Sequence, residues 1–412
     1  MMLARAGAGI RGEGKTSDWV PAAYSLEPMP AQAASERKLR VLIAGAGVGG
    51  LEGVLALADL APDGTELTVI APDAEFVYRP MTVREPFAYS LAARYPVERI
   101  VHHAGAELLV DGLEWVDPTG QVAHTSTGAH LAYDALLLAT GAEARARYPK
   151  ALTIDARRMD ETLHGLIQDV EGGYLNSLAF VAPSRMAWPL PIYELALMTA
   201  GRAYDMGIEL SVTIVTPEDA PLAIFGSVAS DGVAEILQKA GIEIVTSAHA
   251  EVPTSKQVVI HPGDTRLEVD RIVALPELYG PAIRGIPLAD HGFIRVDRHV
   301  QVPDVGPVYA VGDATEFPVK FGGIAAQQAD VAAQSIAALA GAPIDPEPFV
   351  PEIRGMLLTD GKPRYLHARI TGGHGFSSEI SNSPASLPAG KISAKYLAPY
   401  LEKLDTEAEG AS

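Results

Sequence analysis

A chain of 412 residues has room for two to three cores of roughly 150 residues each, and a formal net charge of −19 argues against a phosphate-backbone partner, since carboxylates outnumber Lys and Arg. Cysteine is absent, which excludes disulfides, thiolate metal sites and thiol nucleophiles. No apolar run approaches the roughly 20 residues needed to cross a bilayer.

Residues 1–37, rich in Ala, Gly and Glu and without a continuous apolar signal core, read as a disordered leader. Next comes RVLIAGAGVGGLEGVLAL, Arg40 to Leu57. Val41 to Ala44 has the character of a buried parallel strand, Gly45, Gly47 and Gly50 fit G-x-G-x-x-G, and Leu51, Val54, Leu55 and Ala58 recur at helical spacing. A second strand, Leu67 to Ile70, follows Pro62-Asp63-Gly64 and completes a βαβ unit of about 30 residues. Such a unit presents glycine backbone and helix N–H groups to a pyrophosphate. The acidic residue that normally closes the second strand would fall near Ile70 and Ala71; Asp73 is the nearest substitute. Two later strands end the same way. YDALLLATGA, Tyr133 to Ala142, breaks at Thr140-Gly141, and VYAVGDAT, Val308 to Thr315, ends in Gly312-Asp313, whose carboxylate can accept from ligand hydroxyls.

Taken together and in this order, these segments resemble the two-dinucleotide-binding-domain flavoproteins. That superfamily includes the pyridine nucleotide-disulfide reductases, type II NADH:quinone oxidoreductases and sulfide:quinone oxidoreductases. The resemblance spans about residues 38 to 400. It implies an α/β fold with two Rossmann-like domains and a small C-terminal α+β segment. It also implies that Gly45, Gly47 and Gly50 hold the ADP half of FAD and that Gly312 and Asp313 hold its ribityl chain. The following VKFGGIAAQQADVAAQ places Lys320, Gly322 and Gly323 before a helix whose N-terminus, with the lysine, would stabilise negative charge on the reduced flavin. A solvated loop lysine is the plainer reading of Lys320.

The middle of the chain carries a second dinucleotide-type pattern, with strands at Leu178 to Ala182 and Leu210 to Thr216 and an amphipathic helix through Val233, Ile236, Leu237 and Ala240. Its turn, VAPSRMAWPLPIYELALMTA (Val181 to Ala200), lacks glycine. Ser184, Arg185, Pro183, Pro189 and Pro191 would crowd a pyrophosphate and remove N–H donors, so conventional NAD(P)H binding is not expected. The stretch is similar to the long loop of sulfide:quinone oxidoreductases, ending in Pro-x-Tyr-Glu at Pro191, Tyr193 and Glu194; on that register Trp188 stands where a redox cysteine would be. Trp188 is then either a flavin neighbour or a core residue. Glu194 is either a proton-transfer carboxylate or a helix-start residue favoured by the dipole.

Near the end, Met356 to Leu358 and Tyr365 to Ile370 read as a hairpin turning at Asp360-Gly361, and KISAKYLAPYLEKL, Lys391 to Leu404, as a helix interrupted at Pro399. His102-His103 would point to opposite faces of a strand and no metal constellation is visible. His374 lies on a glycine-rich loop able to approach a substrate. The expected organisation is leader 1–37, an FAD-binding domain from 38–175 and 271–340, a second dinucleotide-like domain 176–270, and a C-terminal segment 341–412 covering the flavin. The expected function is FAD-dependent oxidoreduction between a small-molecule donor and a quinone-like or other small acceptor without cysteine chemistry, in the cytoplasm or peripheral at the inner membrane face. Two alternatives stand beside it: a flavin-binding protein with decayed catalysis, and an NAD(P)H reductase with an unconventional second site.

Overall fold

The computed structural model describes residues 37–371, 375–384 and 390–411. The expected leader and His374 fall outside these residues. In chain order the elements that place the site are β1 (Leu39–Ala44), α1 (Val48–Leu60), β2 (Thr65–Ile70), β3 (Glu107–Leu109), β4 (Ala135–Leu138), β5 (Leu152–Thr153), α2 (Met159–Glu171), β6 (Ser177–Val181), α3 (Leu190–Asp205), β7 (Ser211–Val215), α4 (Ser227–Lys239), β8 (Ile242–Val245), β9 (Arg271–Ala274), β10 (Val308–Ala310), α5 (Gly322–Leu339) and α6 (Leu397–Ala411).

They form two parallel five-stranded sheets, in the orders β10-β4-β1-β2-β3 and β5-β9-β6-β7-β8. Strand alternation sends successive side chains to opposite faces, and each face has its own core. From the first sheet, Val41, Ile43 and Leu137 pack against α1 and the alanine-rich face of α5. Leu42, Leu136 and Leu138 pack instead on Val116 and Ala123 of a three-stranded antiparallel layer at 113–132. The second sheet repeats this plan. Leu178 and Phe180 bury against helices α2 to α4, whereas Ala179 and Val181 meet Val258 and Ile260 of another three-stranded layer at 249–268. The α/β class expected from the sequence is what the chain adopts.

Several local expectations change. Residues 152–153 and 271–274 pair within the second sheet, although the sequence boundaries grouped them with the first domain. His102 and His103 lie in the last turn of a helix, Val97–His103, and not on a strand. The hairpin of Glu352–Leu357 and Arg364–Thr371 forms, but Leu357 pairs with Arg364, so Asp360-Gly361 lies inside a longer loop and is not a two-residue turn. The terminal helix begins at Leu397, placing Pro399 in its first turn, where the missing N–H costs no intrahelical bond.

Candidate functional site

The strand order of the first sheet reverses between β1 and β4, and at such a switch point the carboxyl ends of the strands open a crevice. Gly45 leaves β1 at φ +110 and donates to the Ile70 carbonyl at 2.8 Å. A Cβ on Gly50 would lie 1.8 Å from the Gly45 carbonyl oxygen, so helix and turn can approach this closely only through glycine. Gly47 differs: nothing lies within 4 Å of its would-be Cβ, and it is the N-cap of α1 without any side-chain cap. Gly141, beside the exposed Thr140, is also open, with φ +75. The amino end of α1 therefore offers uncapped N–H groups to open space beside open backbone, which fits a dinucleotide pyrophosphate.

The end of β10 closes the same edge. Gly312, at φ +68, donates to Gln328 Oε1 of α5 at 2.7 Å, and Asp313 follows, half-buried. Burial raises the Asp313 carboxyl above its usual range, opposed by Lys320 and Arg79. Arg79 was not anticipated from the sequence. It is exposed, and among the described residues its side chain makes no hydrogen bond or ion pair. Asp73 itself is exposed, three residues beyond β2. An exposed cation in the field of Asp73, Asp313 and Asp155, without a hydrogen-bond partner among the described residues, is available to an anionic ligand. The cue in the sequence was a single Arg before Pro80, too common a pattern to read.

At the other end of the cradle α5 starts at Gly322-Gly323, with Phe321 as N-cap and no side-chain cap bond. Trp188 stacks on Phe321 at 4.3 Å and 17° and meets Phe225 edge-on at 5.6 Å. It is half-buried and also packs on the core of the second sheet. Lys320 is 6% exposed; its ammonium donates to the Thr315 carbonyl and lies 4.3 Å over the Phe293 ring. Burial lowers its pKa to about 8, against Asp313 and Glu316. The plainer reading of Lys320 as a solvated loop lysine is thus replaced, because its stem is enclosed between two loops. Lys320 lines a cleft of about 430 Å³ with Arg185, Met186, Phe293 and Phe317, roughly the volume of a small planar organic molecule.

Glu194 is placed elsewhere. It is 1% exposed and bonded to Lys391 Nζ at 2.6 Å, itself 4% exposed, and to the Leu358 N–H at 2.8 Å. Lys391 also donates to the Pro80 carbonyl at 2.9 Å. This ion pair fastens α3 to the C-terminal segment, and Glu194 does not line the cleft. The sequence could not show it, since the partners are 197 residues apart.

The equivalent end of the second sheet carries side chains and prolines in place of glycines. α3 starts behind Pro189 with Pro191 in its first turn. Arg185 is held by Glu277 at 2.9 Å and lies 4.7 Å from the Tyr279 ring, while Ser184 Oγ meets His249 Nδ1 at 3.1 Å. Glu218, just past β7, accepts from the Tyr193 hydroxyl at 2.6 Å and from Thr216 Oγ1 at 3.0 Å; burial raises its pKa. The Glu218 carboxylate is thus engaged by two hydroxyl donors of its own chain.

Residues 194–335, from α3 into α5, match the profile of the family described as pyridine nucleotide-disulphide oxidoreductase. Among solved structures, the chain is similar to the sulfide:quinone oxidoreductase of the hyperthermophilic bacterium Aquifex aeolicus, at 19% identity over 90% of each chain with a TM-score of 0.74. It is also similar to a ferredoxin reductase from Rhodopseudomonas palustris, at 20% identity over 80% of this chain and 82% of that one, with a TM-score of 0.60. An NAD-dependent persulfide reductase from A. fulgidus matches at 17% identity, over 80% of this chain and 64% of that one, with a TM-score of 0.59. With two parallel dinucleotide-type sheets and this set of matches, the chain shares the two-sheet α/β fold of the solved oxidoreductases it resembles.

Proposed function

We propose that this chain is an FAD-dependent oxidoreductase that passes electrons between a small-molecule donor and a quinone-like or other small acceptor, without thiol chemistry. The observation that carries it is the convergence of Gly45, Gly141 and Gly312 at one sheet edge with the uncapped amino ends of α1 and α5. Gly45, Gly47 and Gly50 with Arg79 would hold the pyrophosphate, and Asp313 would accept from the ribityl hydroxyls. Asp73, Thr140 and Gly141 would complete the rim. FAD supplies reversible one- and two-electron transfer when bound. The residues set its surroundings: the α5 amino end at Gly322-Gly323 and Lys320 favour negative charge, and the Trp188–Phe321 stack excludes water. The cleft beside Lys320 is the place for a planar acceptor. The Aquifex relative is named for sulfide and quinone; of these only the quinone half suits a chain without cysteine. Among the described residues no helix is long and apolar enough to cross a membrane, so a lipid-borne quinone would be met at the membrane surface. Heat release and chromatography of the cofactor should yield FAD, and the reduced protein should be reoxidised by a soluble quinone analogue. Finding no flavin, or FMN alone, would overturn the cradle assignment; FAD inert to every acceptor would leave only a binding protein.

A further inference from the structure

Three parts of the cradle meet at the first turn of α5. A Cβ on Gly312 would lie 2.9 Å from the Ala325 Cβ, and one on Gly49 would lie 3.4 Å from the Ala325 carbonyl oxygen, so the ends of β10 and α1 both approach this turn closely. Ile392 of the C-terminal segment, 2% exposed, packs on the same turn: a Cβ on Gly322 would lie 3.0 Å from its Cγ1. The Ile392 N–H donates to the Tyr78 hydroxyl at 2.9 Å. One residue earlier, Lys391 Nζ donates to the Pro80 carbonyl at 2.9 Å and to Glu194 Oε1 at 2.6 Å, and Glu194 also accepts from the Leu358 N–H at 2.8 Å. Lys391 and Ile392 therefore bind the two chain neighbours of Arg79, and Thr82 Oγ1 donates to the Arg79 carbonyl itself at 2.8 Å. The Arg79 side chain stays exposed while the backbone that carries it is fixed on both sides.

On the reading of the cradle as an FAD site, we propose that Lys391, held by Glu194, is a positioning residue for the cofactor: it fixes the Tyr78–Pro80 backbone beside the start of α5 so that Arg79 is aimed at the dinucleotide diphosphate. Glu194 and Lys391, at 1% and 4% exposure, are enclosed too fully to touch a ligand themselves. Compared with apolar residues of the same volume, a buried ion pair contributes little net stability. What this pair adds is a link from α3 to the carbonyl next to Arg79. An arginine on a loose loop gives up both backbone and side-chain freedom when it closes on a phosphate, whereas on a fixed backbone only the side-chain part is lost, and the same contact binds more tightly.

Equilibrium dialysis of the full-length protein against FAD, in a double-mutant cycle, tests this. Arg79→Ala should weaken FAD binding by about tenfold to a hundredfold, the loss of one charge-assisted contact. Glu194→Leu combined with Lys391→Met, which leaves the buried site filled and uncharged, should weaken it by about tenfold when Arg79 is present and by less than about twofold when Arg79 is already Ala. A pair that serves packing alone would change FAD affinity by the same factor in both backgrounds, and that result overturns the proposal. So does an unchanged affinity in the Glu194→Leu, Lys391→Met protein beside a weakened Arg79→Ala protein, an outcome that leaves the FAD cradle standing. Wild-type protein that takes up no FAD would instead remove the cradle reading, and the proposal with it. Should the combined variant not fold, Tyr78→Phe, which removes the acceptor of the Ile392 N–H on the other side of Arg79, decides: a loss of FAD affinity that disappears in the Arg79→Ala background supports the positioning role, and no loss, or an equal loss in both backgrounds, refutes it.

Discussion

At the scale of single residues, Gly47 and Gly50 look alike in the motif and differ in what surrounds them. Gly50 is confined by the Gly45 carbonyl, so any side chain there displaces α1 from β1; Gly47 faces open space, so a side chain there meets only a ligand. We therefore expect Gly47→Asp to fold with near wild-type stability yet lose bound flavin, because a carboxylate would face the pyrophosphate. Fully loaded, yellow Gly47→Asp protein would show that the motif is only a turn. Lys320 makes a second case, and here the sign matters. Its folded pKa of about 8 is below the ordinary 10.5, so between those values the unfolded chain binds more protons and stability rises with pH. Denaturant titrations of wild type and Lys320→Met should diverge in that window alone, with wild type gaining at most about 1.4 kcal/mol per pH unit relative to the variant. Parallel curves would mean that Lys320 is not enclosed as described.

At the scale of elements, what was legible followed local rules and what was not depended on distant chain. β1, the glycine turn and α1 could be read because period, turn chemistry and helix start coincide within twenty or so residues. The hairpin near 360 was legible as a pairing but not in its loop, since Asp-Gly is permitted in a two-residue turn without being confined to it. The His102-His103 helix is too short for its period to show. Glu194 was legible as part of Pro-x-Tyr-Glu, but its partner Lys391 comes from the far end of the sequence. Since a buried charge left alone costs more than the pair contributes, Glu194→Leu or Lys391→Met alone should destabilise by about 3–5 kcal/mol, and the two combined by clearly less than the sum. Additive losses in chemical denaturation would argue against the pair. Trp188→Ala belongs at this scale too, because the indole joins the second core to the cap of α5. Truncation should cost about 2–3 kcal/mol, below the fully buried range because the ring is half-exposed, and should also shift the visible flavin spectrum. A destabilised variant with an unchanged spectrum would confine Trp188 to packing.

At the scale of the whole molecule, two sheets of one plan have diverged at their carboxyl edges. The first keeps its edge open, with glycine at three strand ends and helix N–H groups uncapped. In the second, prolines take the helix start, Arg185 is held by Glu277 beside Tyr279, and Glu218 is bonded to Tyr193 and Thr216. Nucleotide binding there would require breaking the Arg185–Glu277 pair and desolvating a carboxylate, with few N–H donors to offset the loss. The electrons should therefore come from a small-molecule donor other than NADH or NADPH. In anaerobic stopped-flow mixing, the flavin should bleach slowly and in proportion to nucleotide concentration, with no plateau. Rapid bleaching that saturates with either nucleotide would show that the second edge opens in solution and would turn the protein into a nicotinamide-dependent reductase. Replacing Arg185 with Ala distinguishes a closed edge from one that merely lacks affinity. A site blocked by Arg185 should gain nucleotide-driven bleaching when the guanidinium is removed, whereas an edge disabled by its prolines should stay inert, because Pro189 and Pro191 still deny the phosphates their donors.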